Sequence, residues 1–437
     1  MSREFRISVL TALALFYSID SKETGICPFL PLNPHEPGPT DGGTLKGRKS
    51  ESLAVTPSRP IPESPSGGPV AAGPESNSLS IMKYHIQPYH MNGLNWTLVP
   101  DDPQRDNVVI VTGFMPSWWE REYGITFRKD FHTKPKTHQA TLAKMAALLR
   151  ERFQDVENFF FSPFDYENSY PVERVYGDAL IPAMFDVEVS FDEASGHPYT
   201  DCVNLSDEQA LRLAVPDVER HSVLRSIFEG RSDTRVPVAG ELGFEGVINI
   251  AYQLRGQNMF GDLLEKPDLI DHVFEVVYGT IHNTVQAARN WQDPAGKKPT
   301  CFVTCDCMIN MISPKMYREH LLEFDKRLHT SFDFFGIHTC NWTVDPYLEA
   351  IAEIGEIGYL DMGAETDLEK VHQLFPELTP TVFFHPEKLR NLTPARVKRE
   401  IAELGRRIGR GYILLCDLET GTTDGQIKAA YEAASAL

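Results

Sequence analysis

The spacing of apolar residues alternates along the chain between two patterns, one typical of strands and the other typical of helices. The segment 107–114 is a continuous β-branched apolar run, which is typical of a strand buried on both faces of a parallel sheet. The segment 138–153 has its apolar residues three and four positions apart, which predicts an amphipathic helix. Further strands are predicted at 236–244 and 300–307, with a long helix, 267–290, between them. Strands and helices therefore alternate in this part of the chain.

The C-terminal half repeats the alternation more regularly. Its first helix follows Ser313, a natural N-cap, and has Pro314 at the first helical position. Strands are predicted at 331–340, 357–363, 380–386 and 411–419, and helices at 345–355, 367–375, 393–408 and 424–434. Repeated βα units of about 30 residues indicate a parallel sheet. We predict an α/β protein of the (β/α)8 TIM-barrel class, with its active site at the carboxyl ends of the strands. Two of the eight strands stay unassigned, and a doubly wound sheet is the competing architecture.

The N-terminal part of the chain differs in composition. Residues 34–80 are rich in Pro, Gly and Ser and contain no aromatic residue, so they cannot bury enough apolar surface to offset their chain entropy. We predict a largely disordered extension, 1–81, followed by the barrel, 82–437. An apolar stretch, 7–17, follows two arginines as in a signal peptide. Because no convincing small-residue cleavage site follows it, we predict a cytoplasmic protein.

The charge balance excludes some partners. The 437 residues include 61 acidic and 42 basic side chains, for a net charge of −19. Such a surface repels phosphate backbones and anionic lipids, and no apolar run approaches the length of a membrane span. The seven cysteines do not suggest a disulfide framework in a chain of this length. We therefore expect a small-molecule substrate, no nucleic acid and no membrane, and leave the oligomeric state open.

Three residues form a candidate metal site. His338 and Cys340 are two positions apart at the end of a predicted strand, so their side chains point to the same face. Cys416 lies near the end of the last predicted strand, and thiolate and imidazole groups at strand ends suit an open zinc site. Asp361 is the first candidate for a fourth ligand and Glu365 is the second. The alternative is that both cysteines are small buried apolar residues and the histidine a hydrogen-bonded core residue.

Other residues have weaker claims on function. Asp306 ends a predicted strand and could act as a general base, hold substrate or make a structural hydrogen bond. His385 also ends a strand and is a catalytic candidate that could face the pocket; the alternative is that Pro386 simply ends the strand there. Trp118 and Trp119 follow the first strand and could cover a flat cofactor as a lid or pack a loop. Glu241 is a candidate pocket acid.

A run of three cysteines, Cys301, Cys305 and Cys307, resembles a metal-binding run. Their alternate spacing on one buried strand instead favours an apolar set that faces the helices. We expect the second role for all three.

From about Asn107 to the C-terminus the chain resembles the uroporphyrinogen decarboxylase superfamily. It looks most like the branch of corrinoid-dependent methyltransferases, such as methylcobamide:coenzyme M methyltransferases. The zinc motif of that branch is His-x-Cys followed by a distant cysteine, and His338, Cys340 and Cys416 match it one for one, with Cys416 76 residues after Cys340. The matching stretches are 173–182, 254–270, 311–329, 337–341 and 392–401.

The resemblance implies a (β/α)8 barrel and a zinc-dependent enzyme. The enzyme would move a methyl group between a corrinoid (methylcobamide) and a small thiol or methylated substrate. The corrinoid would arrive free or on a partner protein, because the chain contains no Asp-x-His-x-x-Gly corrinoid-binding motif.

The rival is the decarboxylase branch, with decarboxylase or lyase activity on a carboxylated substrate. Its Arg-Gln-Ala-Gly-Arg motif is missing from the comparable stretch, 113–124. If 422–427 is aligned with the end of that branch's C-terminal motif, Cys416 stands where a histidine is expected. A barrel that binds a ligand without turnover is the third alternative.

Overall fold

The computed structural model describes residues 84–101, 107–192, 197–231, 235–296 and 298–437. The predicted extension, 1–81, lies outside the described residues. The strands are β1 Tyr84–His90, β2 Leu94–Pro100, β3 Val108–Phe114, β4 Tyr170–Pro171, β5 Ser190–Phe191, β6 Pro198–Tyr199, β7 Val238–Ala239, β8 Cys301–Cys305, β9 Phe334–His338, β10 Tyr359–Gly363, β11 Thr381–Phe383 and β12 Gly411–Leu418.

Helices lie between and after the strands. They are Pro116–Tyr123, Lys129–Thr133, Pro135–Arg152, Leu180–Met184, Asp207–Leu211, Ser222–Glu229, Val247–Arg255, Asn258–Glu265, Pro267–Gln292, Pro314–His320, Leu322–Ser331, Leu348–Ala352, Leu368–Leu374, Pro386–Asn391, Pro394–Ile408 and Asp424–Ala434. No helix in the described part of the chain is both long and apolar enough to cross a membrane.

A six-stranded parallel sheet organises the fold, in the order β3-β12-β11-β10-β9-β8. The first of these strands in the chain, β3, pairs with the last, β12, which is the order of a barrel and not of a doubly wound sheet. The strands β4 and β7 pair in parallel in a sheet of their own. Within the described residues no continuous ladder joins the two sheets, so the parallel α/β architecture is confirmed and the closed ring stays a prediction.

The regular C-terminal half follows the sequence prediction closely. Each predicted strand from 331 onward contains one of β9 to β12, and the predicted helices follow them. The prediction is less accurate at 236–244, where only Val238–Ala239 pairs as a strand. It also extends too far at 300–307, because β8 ends at Cys305 and the chain turns into a short 3₁₀ helix, Cys307–Met311.

The hairpin of β1 and β2 was not predicted. Pro88 interrupts its first strand, which weakens the pattern, although Asn92-Gly93 between the two strands is a hairpin signal. The hairpin packs against one face of the main sheet: Ile86 and Trp96 form an apolar cluster with Val303, Cys305 and Tyr359. Residues on the other face, such as Ile337, Leu360 and Ile413, pack in the main core.

A buried glutamate joins this hairpin to the segment after β4. The carboxylate of Glu173 is fully buried and accepts hydrogen bonds from the Tyr166 hydroxyl, at 2.5 Å, and the Asn92 backbone N–H, at 3.3 Å. Burial raises the pKa of Glu173 from 4.5 to about 7. The folded protein therefore binds this proton more tightly than the unfolded chain does.

We expect Glu173→Gln to remove one component of the pH dependence of stability. In the wild type this component is fully present below pH 4.5 and is lost as the pH rises to about 7, because the buried carboxylate must then ionise. The difference in free energy of unfolding between variant and wild type should change by about 3 kcal/mol over that range. Urea unfolding at several pH values measures it. Parallel stability curves for the two proteins would show that the burial of Glu173 has no such effect.

Candidate metal centre

Three donor side chains converge at the carboxyl ends of β8 and β9. These strands pair in parallel with Cys305 opposite His338, and the chain then continues to Cys307 and Cys340. The Cys340 sulfur lies 3.0 Å from the Cys307 sulfur and 3.2 Å from His338 Nε2. The three donor atoms lie within 4.8 Å of one another, and the described part of the chain contains no other group of three such donors this close. We call these residues the His-Cys-Cys centre.

Asp361, on the neighbouring strand β10, fixes the orientation of the imidazole. Its Oδ2 accepts hydrogen bonds from His338 Nδ1, at 2.5 Å, and from the Tyr359 hydroxyl, at 2.8 Å. Its Oδ1 accepts the backbone N–H of Thr339, at 2.7 Å. A carboxylate at Nδ1 keeps the proton on that nitrogen and directs the lone pair of Nε2 toward the two sulfurs. This is the arrangement of a metal-binding histidine with its supporting carboxylate.

The charges within the centre reinforce one another. The hydrogen bond from Cys340 and the charge of His338 outweigh burial and lower the pKa of Cys307 to about 5. Burial opposes the charged imidazole, but the charges of Asp361 and Cys307 raise the pKa of His338 well above its ordinary value, so a metal ion must displace the Nε2 proton before that nitrogen can bind it. One imidazole and two sulfurs are donors that zinc prefers, and three protein ligands leave it a fourth position for water or substrate. The residues present therefore fit zinc.

The structure corrects the prediction for the cysteine run. Cys301 and Cys305 pack toward the hairpin and not toward the helices. Cys307 leaves the strand pattern because the backbone at Asp306 is no longer extended, with φ −102° and ψ 41°. The sequence carried a signal for this position: Cys307 follows Cys305 by two residues, as Cys340 follows His338, so each cysteine lies two residues beyond the last pair of the parallel register.

Cys416 lies outside the His-Cys-Cys centre. It is buried in β12 and packs with Val111, Phe383 and Leu414. Burial and the charges of Asp417 and Asp361 raise the pKa of its thiol well above the ordinary value. The register of β12 against β3 shifts between Leu415 and Leu418, so the backbone at this cysteine is irregular. Its role as a zinc ligand stays a prediction.

The two residues predicted as fourth ligands have different surroundings. Asp361 is fully buried, and both its carboxylate oxygens accept hydrogen bonds from residues named above. Glu365 follows β10 and is exposed. Direct metal binding by either residue stays a prediction.

Asp306 lies between Cys305 and Cys307, where the chain leaves β8. It is buried, and its backbone N–H donates to the carbonyl oxygen of His338 at 2.9 Å. Its Oδ1 accepts a long hydrogen bond from Thr304, at 3.4 Å, while Oδ2 is buried with no hydrogen-bond partner in the described part of the chain. Burial and the charges of Asp325 and Cys307 raise the pKa of Asp306 well above its ordinary value. This residue therefore adjoins the centre and has an unused polar atom.

The other candidates lie in different settings. His385 precedes the helix Pro386–Asn391 and its Nδ1 caps that helix by accepting a backbone N–H at 3.2 Å. Trp118 and Trp119 are buried in the core, with ring centroids 5.0 Å apart. This arrangement favours packing over a lid. Glu241 is exposed and accepts a side-chain amide hydrogen bond at 3.1 Å.

We expect Asp361→Asn to weaken zinc binding by about 10- to 100-fold, the usual effect of losing a supporting carboxylate. The amide retains an acceptor for Thr339, but it no longer provides the charge that holds the Nδ1 proton of His338. Competition with a chromophoric chelator measures the affinity. Glu356→Gln is the matched control, because it removes an exposed carboxylate shortly before the same strand. Equal affinities for Asp361→Asn and the wild type would contradict the supporting role.

Comparison with known proteins supports the fold. No protein-family model matches the chain, and no curated protein matches it. Among solved structures, a methyltransferase from Methanosarcina mazei is similar, with a TM-score of 0.52 and 16% sequence identity. The similarity covers 77% of this chain and 95% of that protein. At this identity the likeness establishes a shared fold.

Proposed function

We propose that the chain is a zinc-dependent methyltransferase. It moves a methyl group between a corrinoid (methylcobamide) and a small thiol or methylated substrate. The observation that carries the proposal is the convergence of Cys307, His338 and Cys340 at the carboxyl ends of β8 and β9. The shared fold with a methyltransferase and the resemblance of the His-x-Cys motif support it. A closed (β/α)8 barrel and membership of the uroporphyrinogen decarboxylase superfamily belong to the same proposal.

The residues of the centre and its neighbour Asp361 would have different roles in the reaction. His338 and Cys340 hold the ion, with Cys307 as the third donor that lies beside them and Cys416 as the alternative from the family motif. When bound, zinc supplies a positive charge that keeps a thiol substrate deprotonated at neutral pH. Asp361 holds the imidazole in place.

Asp306 is assigned to substrate holding. Its buried Oδ2 has no hydrogen-bond partner among the described residues, and its backbone is hydrogen bonded to the strand that carries His338. A substrate group with a hydrogen-bonding atom would satisfy that oxygen, which is otherwise costly to bury.

We also propose a source for the corrinoid and a cellular compartment for the reaction. The corrinoid comes free or on a partner protein, and the reaction takes place in the cytoplasm. The acidic net charge of −19 suits neither nucleic acid nor an anionic membrane surface.

The test is methyl transfer by the purified, zinc-loaded chain. Incubation with methylcobalamin and a panel of small thiols under anaerobic conditions should demethylate the corrinoid, as seen by its absorbance, and yield a methyl thioether by mass spectrometry. Cys340→Ser should abolish both signals. Release of carbon dioxide from uroporphyrinogen without methyl transfer would favour the decarboxylase branch. Zinc binding with neither reaction would favour a ligand-binding barrel.

A further inference from the structure

The two cysteines of the His-Cys-Cys centre are placed like partners in a disulfide. Cys305 and His338 are the last register pair of β8 and β9, and two more residues along each chain lead to Cys307 and Cys340. The two sulfurs are already 3.0 Å apart, at hydrogen-bond distance and not covalently joined to each other. Bond formation at about 2.05 Å therefore requires an approach of about 1 Å.

The local backbone allows such an approach. Cys307 begins a 3₁₀ helix, and Cys340 lies beyond the end of β9 with φ 65°, in the left-handed region. Neither residue contributes to the strand ladder, whose last rung is the hydrogen bond from the Asp306 N–H to the His338 carbonyl oxygen at 2.9 Å. A shift of either cysteine would therefore leave the sheet intact.

Access distinguishes this pair from the cysteines packed nearby. Cys307 and Cys340 are both partly exposed, so a small oxidant can reach them. Cys305 and Cys416 are buried in apolar clusters, 4% and 1% exposed. Cys307 packs against the same apolar cluster as Cys305 but is partly exposed. Because thiol oxidation requires access to the sulfur, it should be selective for the pair.

We propose that Cys307 and Cys340 form a reversible disulfide when the centre is metal-free and meets a peroxide. One thiol attacks the peroxide, the O–O bond breaks, and a sulfenic acid and one water form. The other thiol then attacks that sulfur, the S–S bond forms, and the hydroxyl leaves as a second water. Two thiols and one hydrogen peroxide thus give one disulfide and two waters. The disulfide removes two of the three donors and leaves His338 alone.

The consequence for zinc rests on the proposed function, but the bond itself does not. Bound metal should protect the pair, because coordination occupies both sulfurs. Oxidised protein should in turn fail to take up zinc until a thiol reductant opens the bond. The pair would therefore make the centre sensitive to oxidants.

The test uses the full-length, chelator-treated protein with one equivalent of hydrogen peroxide, followed by digestion without reductant and mass spectrometry. We expect a cross-linked peptide pair joining Cys307 to Cys340, which disappears after dithiothreitol and in both Cys307→Ser and Cys307→Ala. Cys301→Ser is the control, because Cys301 is also partly exposed and lies in the same region. This variant should still give the cross-linked peptide pair. Cross-links that involve other cysteines only, or sulfinic acid at Cys340 with no cross-link, would overturn the proposal.

Detection of the cross-linked peptide tests the disulfide separately from the proposed methyl transfer. The cross-link forms without metal, corrinoid or substrate, so an inactive methyl-transfer assay leaves its detection unaffected. A zinc-loaded sample with the same peroxide should give at least tenfold less cross-link. Equal amounts with and without zinc would overturn the claim that the pair binds the metal.

Discussion

Replacing Cys340 by serine should reduce zinc from about one ion per chain to a trace. The Cys340 sulfur contacts both other donors of the centre, 3.0 Å from the Cys307 sulfur and 3.2 Å from His338 Nε2. Serine removes a soft thiolate donor and leaves a hydroxyl that zinc binds poorly. The loss should exceed the roughly 10- to 100-fold effect of losing a supporting residue such as Asp361.

Metal analysis after dialysis against a weak chelator measures this effect. His338→Ala should give the same result, because it removes the only nitrogen donor of the centre within the described residues. Cys301→Ser is the control, since that cysteine belongs to the strand facing the hairpin and not to the centre. Full zinc occupancy in Cys340→Ser would place the metal elsewhere and refute the centre.

The sequence predicts those strands, helices and site residues that lie where apolar residues and helix caps recur at regular spacing. Strands β9 to β12 and their helices were predicted because apolar runs and N-caps such as Ser313 recur there at regular spacing. The sequence assigns His338 and Cys340 to one metal site because residues two apart on a strand point to the same face. The hairpin was missed because Pro88 breaks its pattern. The short β4 was missed because Tyr170–Pro171 offers too few residues for any period.

The third donor shows the limit of strand periodicity. Alternation assigns Cys307 to the same face as Cys305, and Cys307 does pack against the same apolar cluster. Alternation cannot predict the exact position of its sulfur, because the backbone is no longer extended there. The turn at Asp306 ends the extended backbone, and the cysteine moves toward Cys340. The support of His338 by Asp361 depends on the pairing of β9 with β10, which the sequence alone does not specify. Convergence of side chains from separate strands is a property of the tertiary fold.

Comparing Cys307→Ser with Cys416→Ser decides which cysteine is the third donor. We expect Cys307→Ser to weaken zinc binding by orders of magnitude, more than the ~10- to 100-fold loss from a supporting residue. Methyl transfer should fall with it. Cys416→Ser should have the smaller effect, because its thiol is 1% exposed and packs among apolar side chains of β12. Zinc affinities by chelator competition, measured on both variants and Cys301→Ser, give the ranking.

The reverse ranking would be equally informative about the structure. It would support the ligand set of the methyltransferase-like motif and require Cys416 to turn toward His338. The irregular register between Leu415 and Leu418 and the left-handed backbone at Asp417, with φ 57°, place a deformable point at that position. Backbone of this kind at a strand end is often associated with function. A difference in Cys416 reactivity toward an alkylating reagent with and without zinc would then separate direct ligation from an indirect packing effect.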